Sequence, residues 1–130
     1  MHKILSPEGW PRPKGYSNGI VASGEQIYLG GQIGWNKDYE FETDDFIDQC
    51  RQTLQNIIDL LGEAQAGPEH ITRMTWYIID KQEYLARTVE LGQVYRELIG
   101  KNFPVMSVVQ VSALMEDRAQ VEIEVTAVKP

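Results

Sequence analysis

The alternation of apolar and polar positions predicts strands near both ends of the chain and in its middle. Residues 20–29 alternate around a Ser-Gly-Glu turn and predict a hairpin. The stretch FPVMSVVQVSALMEDRAQVEIEVTA at 103–127 holds two apolar-rich strands joined by a polar turn, which predicts a second hairpin. A β-branched run at 70–79 predicts a further strand, and a short strand is expected around 39–41.

Helical spacing predicts a first helix between these strands. Its buried stripe is formed by Phe46, Cys50, Leu54, Ile57 and Leu61. We expect Thr43 to be its N-cap, because a threonine side chain can accept from the first free amides of a helix. The Gly67-Pro68 pair is expected to stop it.

A second helix is predicted after the central strand. Asp80 and Glu83 form a capping-box pattern at its start, and Gly100 closes it. Its apolar face is formed by Tyr84, Thr88, Leu91, Tyr95 and Leu98. The order of elements predicts an α+β two-layer domain over residues 1–130, with a mixed six-stranded sheet and two helices on one face.

Two helices cover only one face of such a sheet. The opposite face would then expose Val, Ile and Trp side chains unless another subunit covered it. We therefore expect an oligomer.

Composition narrows the classes of partner. The chain has 130 residues, 42% of them hydrophobic, and a net charge of −7. This acidic balance argues against binding to nucleic acid and to anionic membrane surfaces. No apolar run approaches the ~20 residues that span a bilayer, and the N-terminus lacks the pattern of a secretory signal. A lone cysteine allows no internal disulfide, which suits a reducing cytoplasm.

Metal ligands and nucleophiles are poorly represented. His2 and His70 are far apart in sequence, and Cys50 lies on the apolar stripe of the first helix, so we expect no metal site and no catalytic thiol. The stretch LGGQIGWN follows a strand but opens no helix, so it does not predict a phosphate-binding loop. No cofactor is expected.

Two carboxylates are the candidate chemical groups. Glu122 and Glu124 lie two positions apart on the last predicted strand and share one face, which is either solvent-exposed or held in a subunit cleft. In a cleft, a carboxylate can activate water as a general base. Tyr16 either packs or closes a pocket wall with its hydroxyl. The Gly30-Gly31 pair forms either a bulge or a point of close ligand approach.

Five motifs occur in a characteristic order and spacing between positions 14 and 128: GYSNGI, GGQIG, MTWYIID, FPVMS and VEIEVTA. Together they resemble the reactive-intermediate deaminase family, also called RidA or YjgF. The resemblance implies a chorismate-mutase-like fold and a homotrimer with small-molecule ligands in clefts between subunits. It also implies hydrolysis of enamines and imines, such as 2-aminoacrylate, to ketoacids and ammonia.

The resemblance assigns expected roles to individual residues. Tyr16 corresponds to the pocket tyrosine, and Gly31 to the glycine of a Ser-Gly-Gln motif in which Gly30 replaces the serine. Glu122 corresponds to the acid that positions water and is the expected catalytic residue. The asparagine of the family's second helix falls on Gly92.

The arginine that clamps the substrate carboxylate in this family is absent. Met106 stands at its position, and Ser107, the next residue, is also expected to bind the substrate. The family's cysteine falls on Val108. A charge-assisted pair is worth about 1.5–3 kcal/mol, so methionine should weaken a small anionic substrate. No cation nearby in sequence replaces it, since Lys101 precedes the strand and Arg118 lies in the turn.

The sequence therefore predicts a small-molecule-binding member of this family, with two alternatives. One is an enamine or imine deaminase, a hydrolase, that acts on a larger or aromatic-derived intermediate rather than on 2-aminoacrylate. The other is a non-catalytic metabolite-binding trimer. A ribonuclease is disfavoured by the acidic charge and by the lack of paired catalytic histidines.

Overall fold

Six strands form two sheets in a computed structural model that describes residues 2–130. The strands are β1 (Lys3–Ile4), β2 (Ile20–Val21), β3 (Glu25–Ile33), β4 (Ile71–Ile78), β5 (Val105–Gln110) and β6 (Val121–Lys129). The larger sheet is mixed and has the order β3-β6-β4-β5, with β6 antiparallel to both neighbours and β5 parallel to β4. The α+β class is confirmed, but the expected single six-stranded sheet is a four-stranded sheet plus the separate β1-β2 pair.

Both predicted hairpins are wrong in their pairing. β2 pairs with β1 and not with β3, and β4 lies between β6 and β5. Alternation fixes which side chains face the core, but it does not fix which strand lies alongside. The expected strand at 39–41 is absent, because Tyr39 has a φ of 61° in a tight turn and stacks on Trp35 with ring centroids 4.3 Å apart.

The helices are α1 (Phe46–Glu63), α2 (Lys81–Ala86) and α3 (Thr88–Ile99). The N-cap of α1 is Asp45, whose carboxylate accepts from the Asp48 amide at 3.1 Å. The prediction of Thr43 is wrong, because its hydroxyl accepts from the Asp45 amide instead and lies outside the helix. This helix also ends at Glu63, earlier than the Gly-Pro pair predicted.

The second predicted helix is two helices that meet at Arg87. Asp80 caps the first of them by accepting from the Glu83 amide at 3.0 Å, and Gly100 ends the second, so both predicted ends are confirmed. The Arg87 guanidinium bridges Asp45, Glu83 and Glu90 at 2.6, 3.1 and 2.8 Å, which ties the junction to the start of α1.

The helices lie on one face of the larger sheet, as expected. That face is apolar, and its buried side chains include Met74, Trp76, Ile78, Ile123, Val125 and Ala127. The opposite face exposes Val109, whose side chain is 43% accessible, but not the predicted Trp76, because strand alternation turns that residue toward the helices. It carries Tyr28, Thr75, Tyr77, Ser107, Glu122 and Glu124 instead. No helix within residues 2–130 is both long enough and apolar enough to cross a bilayer.

Candidate functional site

The segment that leads to β2 is fastened to the start of β5. The Ser17 amide donates to the Pro104 carbonyl at 3.0 Å, and its hydroxyl donates to the Phe103 carbonyl at 2.6 Å. Gly15 has a φ of 81°, a left-handed conformation that favours glycine and turns the chain toward this edge. The Tyr16 side chain, which is 40% exposed, is thereby brought beside β5.

A cleft of about 510 Å³ lies between this segment, the helices α2 and α3, and strand β5. Its floor and walls are mainly apolar and include Trp76, Tyr84, Leu91, Tyr95, Phe103, Met106 and Val108. Tyr16 and Gly92 also line it, so the structure brings together three of the expected binding residues, Tyr16, Gly92 and Met106. This volume is in the range of small-molecule sites.

Several polar side-chain groups lie in the cleft walls, among them the hydroxyls of Tyr84, Thr88 and Tyr95 and the indole N–H of Trp76. The Tyr95 hydroxyl donates to the Asn102 carbonyl at 2.8 Å, and burial raises the pKa of this phenol. Trp76 is buried, and its indole N–H has no acceptor among residues 2–130. An unsatisfied buried donor costs roughly 1–3 kcal/mol, and among residues 2–130 the other buried side-chain atom without a partner is His2 Nδ1.

Two cations line the same cleft. Lys14 comes from the lead-in segment and Arg96 from the last turn of α3, and both side chains are exposed. The expectation that no nearby Lys or Arg replaces the family's arginine stays a prediction, but these two cations line the cleft that contains Met106. Neither position is close to β5 in the chain, and only the packing of the lead-in and α3 against that strand reveals them.

A second cleft of about 910 Å³ adjoins the first. The two share Lys14, Gly15, Tyr16 and Phe103, which form the wall between them. Arg12 and Lys101 add two more cations to its lining, whereas its only acid among the described residues is Glu69. The two adjoining clefts therefore form a basic region on a chain whose net charge is −7.

The expected catalytic acid lies on the opposite face of the sheet. Glu122 is paired in register with Tyr77 of β4, and the Tyr77 hydroxyl donates to Glu124 over 3.4 Å. The negative charge of Glu124 raises the pKa of this phenol. In residues 2–130, Glu122 does not line the cleft that contains Met106.

Gly31 lies directly against this acid. It is part of the irregularity in β3 between Leu29 and Gln32, and a Cβ built at position 31 would lie 2.2 Å from Glu122 Oε2. A Cβ at Gly30 would meet nothing within 4 Å. The carboxylate therefore occupies the space that a side chain at position 31 would need. Ser107 is on this face too, since it pairs with Thr75 and points away from the side of Met106.

Cys50 and the two histidines, which the sequence analysis also considered, make contacts of a structural kind. Cys50 is fully buried, and burial raises the pKa of its thiol, which makes it a poor nucleophile. His70 accepts from the Gly67 amide through Nδ1 at 3.0 Å, and His2 Nε2 lies 3.3 Å from the His70 carbonyl. The two histidines are thus neighbours, which their separation in sequence concealed.

Comparisons with known proteins define the family. Residues 11–129 match the family model described as Endoribonuclease L-PSP. A RutC family protein of Pyrococcus horikoshii is 30% identical over 130 residues, covering 99% of each chain. A 2-iminobutanoate/2-iminopropanoate deaminase of Dermatophagoides farinae is 28% identical over 123 residues, covering 94% of this chain and 92% of that protein. The crystal structure of YyfB from Yersinia pestis, a member of the conserved Rid protein family, aligns with a TM-score of 0.86 at 26% identity and covers 98% of both chains.

The fold is thus that of a Rid-type α+β domain. The chain belongs to the Endoribonuclease L-PSP family, which is the RidA/YjgF family that the five motifs predicted, and that prediction is confirmed.

Proposed function

We propose that this protein is a homotrimer that binds a small molecule in clefts between subunits and hydrolyses a larger or aromatic-derived enamine or imine. The observation that carries the proposal is the division of the expected site. Tyr16, Gly92 and Met106 line a cleft on one side of the sheet, and Glu122 lies on the other. A second copy that presented its open sheet face to the cleft would supply the missing acid.

In this arrangement the chemistry needs no cofactor. The Glu122 carboxylate of one copy takes a proton from a water molecule, and the resulting hydroxide adds to the carbon of the C=N bond. The protonated Glu122 returns that proton to the nitrogen, and the tetrahedral carbinolamine loses its hydroxyl proton to the departing nitrogen as it collapses to a carbonyl compound and ammonia. One imine and one water are consumed, so the atoms balance. The apolar walls bind the body of the substrate and exclude other water.

The mite relative named as a 2-iminobutanoate/2-iminopropanoate deaminase supports the reaction class. The floor of the cleft argues for a different substrate, because Met106 offers an apolar thioether where the family places an arginine. We therefore expect weak turnover of 2-aminoacrylate and a preference for substrates with an apolar or aromatic body. Each chain would form a single domain, and the protein would work in the cytoplasm, where the buried thiol of Cys50 stays reduced.

The second candidate is a trimer that binds a metabolite without catalysis. The observation in its favour is that Gly92, Met106 and Val108 all depart from the family's pattern in one cleft. RNA cleavage is not proposed, although the family model is described as an endoribonuclease. A net charge of −7 repels the phosphate backbone, and Nδ1 of His70 is used as an acceptor for the Gly67 amide.

The test is subunit complementation combined with a mass measurement. Glu122→Gln removes the base and should lower imine turnover about a hundredfold or more. Gly92→Trp should fill the cleft and abolish binding, because position 92 faces open space. When the two inactive variants are co-expressed, about a quarter of the sites should draw an intact half from each subunit and regain activity.

A matched control shows whether the recovery needs two different variants. Glu122→Gln expressed alone should stay inactive, as should Gly92→Trp expressed alone. Light scattering should give the mass of three chains. A monomer, or a mixture that recovers nothing although wild type is active, would contradict the inter-subunit site. Binding without any turnover by wild type would favour the non-catalytic candidate.

A further inference from the structure

The charged side chains that line the cleft are positive, although the net charge of the molecule is negative. The chain carries 19 acidic and 12 basic side chains, yet Lys14 and Arg96 line the cleft and no Asp or Glu of residues 2–130 does. Neither cation forms an ion pair with another described residue, whereas Arg51, Arg87 and Arg118 are all paired with acids. Two unpaired like charges facing one apolar cavity attract an anion, because low-dielectric walls focus their field.

We propose that the ligand of this cleft is an anion with an apolar or aromatic body, and that Lys14 and Arg96 hold its acidic group at the mouth. This inference rests on the proposed ligand-binding function and names its ligand class. The anionic group is a carboxylate or a phosphate, since both match an ammonium and a guanidinium. The family's missing arginine is thus replaced by cations from two other elements.

The cations and the apolar floor of the cleft differ in exposure, which bears on the size of ligand that could contact both. Lys14 and Arg96 are exposed, Met106 is half-buried and Trp76 is buried at the floor. An acidic group held at the mouth must be joined to a body long enough to reach the floor. Small imino acids, whose carboxylate is adjacent to the reacting carbon, lack such a body and would leave most of the cleft of about 510 Å³ unfilled. The cation positions therefore select the larger substrates proposed above.

The neighbouring cleft extends the same field. Arg12 and Lys101 line it and are also without an ion pair to another residue of the described chain. These cations raise the local concentration of anions near the mouth without contacting the ligand, an effect that weakens as salt screens the charges.

The experiment measures binding of a matched pair of probes, 3-phenylpropanoate and its uncharged amide, by calorimetry. Phenyl phosphate tests the phosphate form, and a short single-stranded oligoribonucleotide tests a polyanion. Wild type should bind the carboxylate or the phosphate more tightly than the amide. Lys14→Gln and Arg96→Gln should each weaken that binding about twofold to fivefold, and the double variant about tenfold, with the amide unchanged.

Control variants separate local contact from net charge. Lys37→Gln removes a cation that lines neither cleft and should leave all affinities as in wild type. Arg96→Lys keeps the charge and should retain most of the affinity for the anion. Thermal unfolding checks that the variants stay folded, which is expected since Lys14 and Arg96 are exposed.

Several outcomes would overturn the inference. These are equal affinity for the acid and the amide in wild type, unchanged acid binding in the double variant, or no binding of either anion. Binding of the oligoribonucleotide alone, lost in the double variant, would assign the surface to nucleic acid. Loss of the trimer or of imine turnover would contradict the proposed function but leave this result readable, because both cations and the cleft belong to one chain.

Discussion

The two faces of the larger sheet share strands but differ in chemistry. The helix-covered face ends in a cleft with an apolar floor and a basic mouth, whereas the open face carries Glu122, Glu124 and Tyr77. Within residues 2–130, no carboxylate lines the cleft that contains Met106, and Glu122 lies outside it. The comparison teaches that strand alternation can separate two halves of a site by the thickness of one sheet, so that assembly, rather than folding, would bring them together.

The largest expected effect comes from placing an arginine in the cleft at position 106, where the family resemblance expects one. Met106→Arg should increase turnover of small imino acids about tenfold, because its planar guanidinium can grip a carboxylate at the floor. The gain will be partial, since Lys14 and Arg96 already make the cleft positive. Steady-state kinetics on freshly generated 2-aminoacrylate measures the effect.

The double variant Met106→Arg, Glu122→Gln is the control for this gain. If the open face supplies the base, the increase should vanish in the double variant while binding persists. A folded, trimeric Met106→Arg protein with no gain would show that Gly92 and Val108 have changed the cleft beyond rescue by one charge, and would favour the non-catalytic candidate.

A smaller change on the open face sharpens the comparison from the other side. Gly31→Ala should lower turnover about fivefold by pushing the Glu122 carboxylate aside, because a Cβ there would lie 2.2 Å from its Oε2. The three atoms that this Cβ would meet, Oε2, Cδ and Cγ, all belong to the flexible Glu122 side chain, so stability should change by less than about 1 kcal/mol. Ligand affinity in the cleft should be unchanged.

Gly30→Ala is the matched control, since a Cβ at that position meets nothing within 4 Å. The two alanines differ by one place in the strand and by which of them touches the acid. Equal turnover of both variants, measured with equal enzyme concentrations, would show that the position of this carboxylate is not critical.

The smallest expected effect concerns how stability depends on pH at the ion pairs of Arg87, where α2 and α3 meet the start of α1. The Arg87 guanidinium lowers the pKa of Asp45 and of Glu90, so these pairs stabilise the fold above the unfolded carboxyl pKa near 4. That contribution is lost as pH falls through the lowered pKa values. Arg87→Gln should therefore reduce the denaturation midpoint at pH 7 and reduce it less at low pH.

Urea titrations at pH 7 and in strongly acidic buffer measure this difference, with Lys37→Gln as the control for net charge. An equal decrease at both pH values would mean that Arg87 acts through packing of its alkyl stem and not through its ion pairs.

The class of fold and the helical stripes could be predicted from the sequence because they depend on local periodicity. Phe46, Leu54 and Leu61 recur at helical spacing and are all buried. Strand partners were not predictable, because β6 inserts between β3 and β4 and no local pattern encodes that insertion. The same limit applies to the N-cap, where Thr43 and Asp45 are both good capping residues and only the backbone conformation selects Asp45.

The candidate site was predictable only where motifs carried it. Tyr16, Gly92 and Met106 line one cleft, as a common binding role requires, whereas Ser107 points to the other face because it follows Met106 in a strand. Lys14 and Arg96 were missed, since a surface lysine and a helical arginine have no distinctive sequence pattern. A helical wheel of α3 would have placed Arg96 one turn from Gly92, on the same side of the helix.

The attachment of Ser17 to the first residues of β5 has a consequence for aggregation. β5 is an edge strand, and unpaired backbone groups on an edge are a template for pairing with another chain. Ser17 bridges to Val105 in parallel orientation and so covers the beginning of that edge. The short stretch of backbone that holds Tyr16 in the cleft wall thus also protects the molecule from edge-to-edge association.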